Sequence, residues 1–293
     1  MKKKILIIGK KGFLSKSFLQ YNFFKNKCIF INFETGKKNS FFQKNYKLKK
    51  KNFHNLIKKH NFKTVYLSSW LSINDPFSKK NYKNIFIYKQ LINFFFINKI
   101  SNIVFFGSIK EYGNIKGKIT EKTKPKPNTY YAKAKLNIGN IGIKLAKKYN
   151  QNFLHLRVSN IFCAYKNKQK LFNRIYLSRK FTNHIGFNFY RNFIFIDDLF
   201  LILKHFTINP ANGIFNLGSE KTFEFNILLD KYCKLLRIKP ELSNYKTYYK
   251  FENYNFFNYS IAKLKTEINN YQSTNLKTCL KKILIKQKKL FLK

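Results

Sequence analysis

Tyr131 and Lys135 stand four residues apart in Tyr-Ala-Lys-Ala-Lys, and Ser108 lies upstream in Phe-Gly-Ser-Ile-Lys-Glu-Tyr-Gly. On a helix, residues four apart share one face and stack about one turn apart. A phenol has an unperturbed pKa of roughly 10, too high for a base near neutrality. A nearby ammonium stabilises the phenolate and brings proton transfer within reach. A serine hydroxyl held alongside polarises a carbonyl or alcohol oxygen. A carbonyl-to-alcohol redox reaction needs these three groups around its oxygen. Alone, the pair also reads as a surface pair in a chain rich in tyrosine and lysine; Ser108 and a glycine turn near the N-terminus weigh against that.

The elements that must position these groups alternate in type. Lys4–Ile8, Cys28–Phe33, Thr64–Ser68, Asn102–Phe106 and Phe153–Val158 read as buried apolar strands. Between them, Phe13–Phe24, Phe53–His60, Tyr82–Asn98 and Tyr130–Tyr149 have helical spacing. This βαβ rhythm without tight hairpins predicts an α/β fold, a doubly wound parallel sheet covered by helices on both faces. After about Phe162 the pattern is less regular. Pro210-Ala-Asn-Gly213 is a turn before a short strand at Ile214–Leu217, and the final third reads as helices and loops. The expected division is a dinucleotide-binding domain over 1–165 and a smaller region over 166–293, partly interleaved with the first.

The first strand runs into Gly9-Lys-Lys-Gly12-Phe-Leu-Ser15. Glycines at a strand-to-helix turn let the backbone approach a pyrophosphate, which rests on the N-terminus of the following helix. A two-glycine turn is also an ordinary βα turn, but its place after the first strand of a βαβ pattern favours a dinucleotide. Ser15 stands where a third glycine is usual, and a serine is small enough for helix–sheet packing. The second strand usually ends in an acidic residue that takes the adenosine ribose hydroxyls. Here that place, near Asn32, is not acidic, although Glu34 follows. Lys37 and Lys38 lean the reading toward NADP over NAD, unless both are merely solvated.

The formal net charge of +47 invites a nucleic-acid reading. Three observations set it aside. Arginine occurs only at 157, 174, 179, 191 and 237, so nearly all the charge is lysine. The lysines are spread along the chain. Phe, Ile, Asn, Tyr and Lys are inflated together, and A/T-rich codons encode these five residues. The cysteines at 28, 163, 233 and 279 are scattered, with no metal-like clustering with histidine, and read as neutral thiols in a reducing cytosol. The apolar run Ile5–Ile8 is too short for a signal-peptide core, and no stretch approaches the ~20 apolar residues of a membrane helix. A cytoplasmic protein without a metal is expected.

Taken in order, the motifs resemble the extended short-chain dehydrogenase/reductase family of nucleotide-sugar epimerases, dehydratases and ketoreductases. They are Gly9-x-x-Gly12, Val65-Tyr-Leu-Ser-Ser69, Gly107-Ser108-x-x-x-Tyr112-Gly113, Tyr131-x-x-x-Lys135, Leu156-Arg-Val-Ser-Asn160, Arg191-Asn-Phe-Ile-Phe-Ile-Asp-Asp198 and Phe215-Asn-Leu-Gly218. The segment from Ser260 looks like that family's C-terminal tail. The resemblance implies a Rossmann-like fold with a smaller C-terminal substrate-binding region. It implies that Tyr131 is the acid/base, that Lys135 holds the nicotinamide ribose and lowers the tyrosine pKa, and that Ser108 bonds the reacting oxygen. Gly9 and Gly12 would lie against the cofactor pyrophosphate and Leu67 and Ser68 near its ribose, with Phe13, Leu14, Asn32 and Tyr131 also among the cofactor-binding residues. Asn160 would contact the sugar nucleotide, and Arg191 its diphosphate, which suits a planar multi-donor cation. For Arg191 an ion pair with Asp197 or Asp198 is the structural alternative. A homodimer is compatible with the resemblance.

Sugar-nucleotide 4,6-dehydratases resemble one another in carrying Asp-Glu directly after the reactive Ser/Thr. Here Ile109 and Lys110 occupy those places, and Glu111 comes one position later, which argues against that reaction. An NAD(P)-dependent reductase of a 4-keto-6-deoxy sugar nucleotide is the favoured expectation, on the Gly-Ser-x-x-Glu-Tyr-Gly form, Trp70 and the short C-terminal region. A 4-epimerase with tightly bound NAD is the alternative. A non-catalytic nucleotide- or RNA-binding derivative is the third, disfavoured because Ser108, Tyr131 and Lys135 are all present.

Overall fold

A computed structural model of the protein describes residues 4–9, 12–31, 50–114, 116–164, 171–180, 182–184, 190–243 and 257–291. Six strands form the central parallel sheet: β1 (Ile5–Ile8), β2 (Cys28–Ile31), β3 (Thr64–Leu67), β4 (Asn102–Phe106), β5 (Asn152–Val158) and β6 (Gly213–Leu217). Their order is β6-β5-β4-β3-β1-β2. In register, Ile8 lies opposite Ile31 on one side and Leu67 on the other, and Phe106 lies opposite Leu156. The near-continuous apolar runs Ile-Leu-Ile-Ile and Thr-Val-Tyr-Leu are what a strand covered on both faces requires. The chain leaves β1 for β2 on one side and then returns to β3 on the other. A crevice therefore opens at the carboxyl ends of β1 and β3, the place where open α/β sheets take ligands.

Successive residues of β3 supply both cores, because side chains alternate across a strand. Val65 and Leu67, with Leu6, Ile8, Ile103 and Phe105, meet Tyr88, Leu91, Ile92, Phe95 and Phe96 of one helix and Ile138 and Ala146 of another. Tyr66 points the opposite way, its ring 4.9 Å from that of Phe18, and its hydroxyl donates to the Leu203 carbonyl at 2.8 Å. The helices are α1 (Phe13–Phe18), α2 (Asn22–Lys25), α3 (Lys50–His60), α4 (Lys83–Ile97), α5 (Tyr130–Tyr149), α6 (Leu171–Ser178), α7 (Ile196–Ile208), α8 (Phe225–Leu236), α9 (Ala262–Glu267) and α10 (Leu276–Phe291). No helix among the described residues is long and apolar enough to cross a membrane.

The expected single helix over Phe13–Phe24 is instead two, α1 and α2. Tyr21 between them is extended (φ −106°, ψ 122°), which lays its ring flat on Phe200 at 4.1 Å. Phe18 and Phe24 turn onto the same Phe200 ring, 4.9 and 5.7 Å away. Aromatic burial on the sheet thus overrides helical continuity. Burial also keeps the thiols neutral, pushing Cys28 and Cys279 up to about 12 and Cys233 up to about 11.

Helix α5 lies hard against β5. A Cβ on Gly142 would fall 2.1 Å from the Phe153 ring. Gly142→Ala is expected to lower the melting temperature: overpacking a filled core costs about 1–3 kcal/mol, more than the roughly 1 kcal/mol that alanine adds to helix propensity. Thermal unfolding of the purified variant checks this.

The chain forms two compact units and passes between them more than once. The first comprises Met1–Gly113, Lys124–Arg157 and Phe200–Phe215; the second comprises Asn114–Thr123, Val158–Leu199 and Asn216–Lys293. In the second unit Asn160–Phe162 pairs in parallel with Phe193–Phe195, and Tyr190–Arg191 pairs antiparallel with Phe223–Glu224. There, too, Asp198 accepts the Thr274 main-chain N–H at 2.8 Å and its hydroxyl at 2.6 Å, while Asp197 pairs with Lys286 at 3.1 Å. These contacts tie the start of α7 to the segment that leads into α10.

Candidate active site

Within the first unit, Ser108 opens a single 3₁₀ turn at Ile109–Tyr112, directly after β4 and Gly107. Its side chain accepts the Lys110 N–H at 3.2 Å, and its own main-chain N–H donates to Glu111 Oε1 at 2.8 Å. This reciprocal pairing is a capping box, written in the sequence as Ser-x-x-Glu. The serine is buried and its orientation is fixed from both ends.

Tyr131 and Lys135 lie on α5, whose start is set by Thr129: its hydroxyl accepts the Ala132 N–H at 3.1 Å. The Tyr131 N–H donates to the Pro76 carbonyl at 3.0 Å, anchoring this end of the helix to the loop after β3. Lys135 Nζ is buried, 2.5 Å from the Phe106 carbonyl and 3.9 Å above the Trp70 ring. It stands 5.6 Å from the Tyr131 ring centroid. The Trp70 indole packs edge-on to Tyr131 at 5.3 Å and is itself fixed by a 2.8 Å hydrogen bond from Nε1–H to Asn81.

Burial shifts both titrating groups, in opposite senses. The Tyr131 phenol is pushed well above the ordinary range by burial, and the Glu111 carboxylate adds to the rise. A hydrogen bond with Ser108 takes part of it back. Burial pulls the Lys135 ammonium down to about 7, with the Glu111 charge working against that shift. A buried phenol favours its neutral form and a buried amine its uncharged form. The Tyr131 phenol is therefore protonated at neutral pH.

The glycine turn meets β3 at the crevice. Gly9 has φ +111°, and a Cβ there would lie 2.8 Å from the Ser69 main chain, so the position admits only glycine. Gly12 precedes α1, and no side chain among the described residues caps that helix start. Ser15 is fully buried and shares a 2.7 Å hydrogen bond with the Ser68 hydroxyl, which donates to the Ile8 carbonyl at 2.8 Å. The departure from a third glycine thus fastens α1 to the ends of β1 and β3. Leu67 sends its side chain into the core, while Phe13 is exposed and Leu14 partly so. Asn32, Glu34, Lys37 and Lys38 lie outside the described residues.

Ser108, Tyr131, Lys135, Gly9, Gly12, Leu67 and Ser68 are all in the first unit; Asn160 and Arg191 belong to the second. There Asn160 donates through its side chain to the Asn192 carbonyl at 3.0 Å, and Arg191 donates to the Tyr190 carbonyl at 3.3 Å. Sequence reading gives no role to His155 and Arg157, and sets Glu111 aside as a displaced carboxylate. Two signals were present: the Ser-x-x-Glu spacing, and two polar residues at i and i+2 in the otherwise apolar Phe-Leu-His-Leu-Arg-Val strand.

Residues 5–218 match the family model described as the NAD dependent epimerase/dehydratase family. No curated protein matches the chain. Among solved structures, the chain is similar to UDP-N-acetylglucosamine 4-epimerase from Bacillus cereus, with TM-score 0.77 and 19% identity over 98% of this chain and 99% of that one. It is similar to dTDP-glucose 4,6-dehydratase from Bacillus anthracis in complex with NAD, with TM-score 0.77 and 17% identity over 98% and 97%. It is also similar to RMD from Pseudomonas aeruginosa complexed with NADPH, with TM-score 0.71 and 14% identity over 97% and 99%. At these identities the likeness is one of fold.

Proposed function

The chain belongs to the NAD dependent epimerase/dehydratase family, and on that premise we propose that it reduces a 4-keto-6-deoxy sugar nucleotide with NADH or NADPH, Tyr131 giving the proton. The observation that carries this reading is the packing of the site: Tyr131 lies edge-on to Trp70 at 5.3 Å with the buried Lys135 Nζ 5.6 Å from its ring, Ser108 is buried at the start of its 3₁₀ turn, and burial and the Glu111 charge favour the protonated phenol. An enzyme that begins its cycle with a proton to give is matched to a carbonyl substrate.

The residues present fit a dinucleotide. Gly9, where a Cβ would strike Ser69, and Gly12, at the start of α1, would hold the pyrophosphate. Lys135 would hold the nicotinamide ribose. When bound, the reduced nicotinamide supplies a hydride to the carbonyl carbon. Ser108 donates a hydrogen bond to the carbonyl oxygen and fixes it beside Tyr131. Tyr131 transfers its proton to that oxygen as the C–H bond forms, so the ketone becomes an alcohol and a tyrosinate is left beside Lys135. Asn160 and Arg191 are proposed to bind the sugar nucleotide, Arg191 at the diphosphate. A dehydratase needs a free carboxylate next to the reactive serine. Ile109 and Lys110 cannot supply one, and Glu111 is committed to Ser108, His155 and Arg157. The leaning toward NADP rests on Lys37 and Lys38.

The chain contains one tryptophan, Trp70, against Tyr131 and Lys135. A dinucleotide held by these residues is expected to quench its emission saturably and, in reduced form, to accept its energy. Titration with NADH and NADPH, followed by a panel of 4-keto sugar nucleotides, is the test. Absence of any fluorescence change with either dinucleotide would remove the assignment. Protein that arrives carrying NAD and interconverts sugar nucleotides without added cofactor would replace the reductase by a 4-epimerase.

A further inference from the structure

Glu111 is fully buried, and both of its carboxylate oxygens are engaged. Oε1 accepts the Ser108 main-chain N–H at 2.8 Å and faces His155 Nε2 at 3.0 Å; Oε2 accepts Arg157 Nε–H at 2.9 Å. A carboxylate oxygen only accepts, so His155 presents Nε2–H here, and its buried Nδ1 has no hydrogen-bond partner among the described residues. Arg157 is 2% exposed and lies over the Tyr112 ring, 4.5 Å from its centroid. Space is kept for this network on two sides. A Cβ on Gly107 would come within 2.3 Å of His155 Nε2 and 2.5 Å of Glu111 Oε1, and one on Gly139 within 2.2 Å of His155 Nδ1.

A buried ion pair is a poor device for stability, since desolvating both charges costs about as much as their attraction returns, and apolar side chains of equal volume serve as well or better. An unpartnered histidine nitrogen adds to the cost. The arrangement makes sense through what it holds. Ser108 is gripped at its N–H by Glu111, and its hydroxyl accepts from Lys110, so a shift of the carboxylate moves the serine.

We propose that Glu111 is a positioning residue for the reaction, holding the Ser108 main chain, and with it the hydroxyl, against the Tyr131 phenol, while His155 and Arg157 of β5 fix the carboxylate in place. The proposal rests on the roles given above to Ser108 and Tyr131. The same negative charge favours the protonated forms of both Tyr131 and Lys135, keeping donor and cation ready for substrate.

The test is a kinetic cycle on the full chain with a 4-keto sugar nucleotide, using E111Q, S108A, S108A/E111Q and E111Q/R157M. The E111Q amide keeps an oxygen for the serine N–H but loses the charge that fixes it. We expect E111Q to lower kcat by about 10- to 100-fold, as small misplacements of reacting groups do, with KM within about threefold. Because the effect runs through Ser108, adding E111Q to S108A should cost less than about threefold more. E111Q alone leaves Arg157 without its counter-charge, which destabilises the fold. E111Q/R157M removes both charges together, and its kcat should remain low although its melting temperature recovers. A folded E111Q or E111Q/R157M with wild-type kcat, or costs that simply multiply in the S108A background, overturns the proposal. Wild-type turnover by S108A overturns instead the role of the serine, and this inference with it.

Discussion

Tyr131→Phe is expected to lower kcat for ketone reduction by about 10²–10⁴-fold, the usual contribution of a positioned acid, with KM for substrate and dinucleotide within a few-fold. The substitution removes one oxygen and little else. The ring that packs edge-on to Trp70 at 5.3 Å is retained, and so is the 3.0 Å main-chain bond to Pro76 that anchors the start of α5. Ser108 keeps its contacts with Lys110 and Glu111. The variant should therefore fold, bind and fail only at proton transfer. A buried phenol is also costly to ionise, and Glu111 raises that cost further, so the wild-type acid remains loaded across neutral pH. Steady-state kinetics of both proteins, with circular dichroism to verify folding, decide the point. A kcat within threefold of wild type would mean that the proton comes from elsewhere.

Tyr131, Lys135 and Ser108 were legible as candidates because residue type and spacing suggest their chemistry, and the sheet because its strands are runs of apolar residues with helical segments between. What escaped sequence reading depends on tertiary contact. No periodicity announces that Tyr21 will lie flat on Phe200 and break the helix over Phe13–Phe24, since Phe200 belongs to α7 far along the chain. Ser15 reads as a tolerated substitute for glycine, but only the folded chain shows it bonded to Ser68 across the crevice. Glu111 is read in the sequence against a dehydratase pattern that it does not fit. Its partners come from another strand, so its task is not written beside it. The same holds for Trp70, whose position over the Lys135 ammonium follows from packing of the loop after β3 onto α5.

Lys135→Met carries the second large effect, with two consequences of opposite sign. Turnover should fall by about 10²–10³-fold, the cost of removing a fixed charge from a reaction centre. The protein without dinucleotide should become more stable at pH 7. Lys135 is buried, and its ammonium has one carbonyl at 2.5 Å and the Trp70 face to replace its lost water. In the unfolded chain a lysine titrates at roughly 10.4, whereas burial brings the folded value to about 7. Between these values the unfolded state binds more protons, so this group lowers stability as pH falls from about 10 to 7, and its cost is constant below that. Methionine fills the space without charge and removes that dependence. The gain at pH 7 is on the order of a few kcal/mol, which for a chain of this size is several degrees in melting temperature. At pH 10 the two proteins should melt much closer together. Paired thermal scans at pH 7 and pH 10 separate this account from simple packing. A variant less stable than wild type at pH 7, or one whose advantage persists undiminished at pH 10, would show that the buried ammonium costs the fold nothing. If the cost is real, the chain retains at the end of β4 a charge that burial disfavours, on the same face of α5 as the proposed proton donor, and the site rather than the core accounts for its presence.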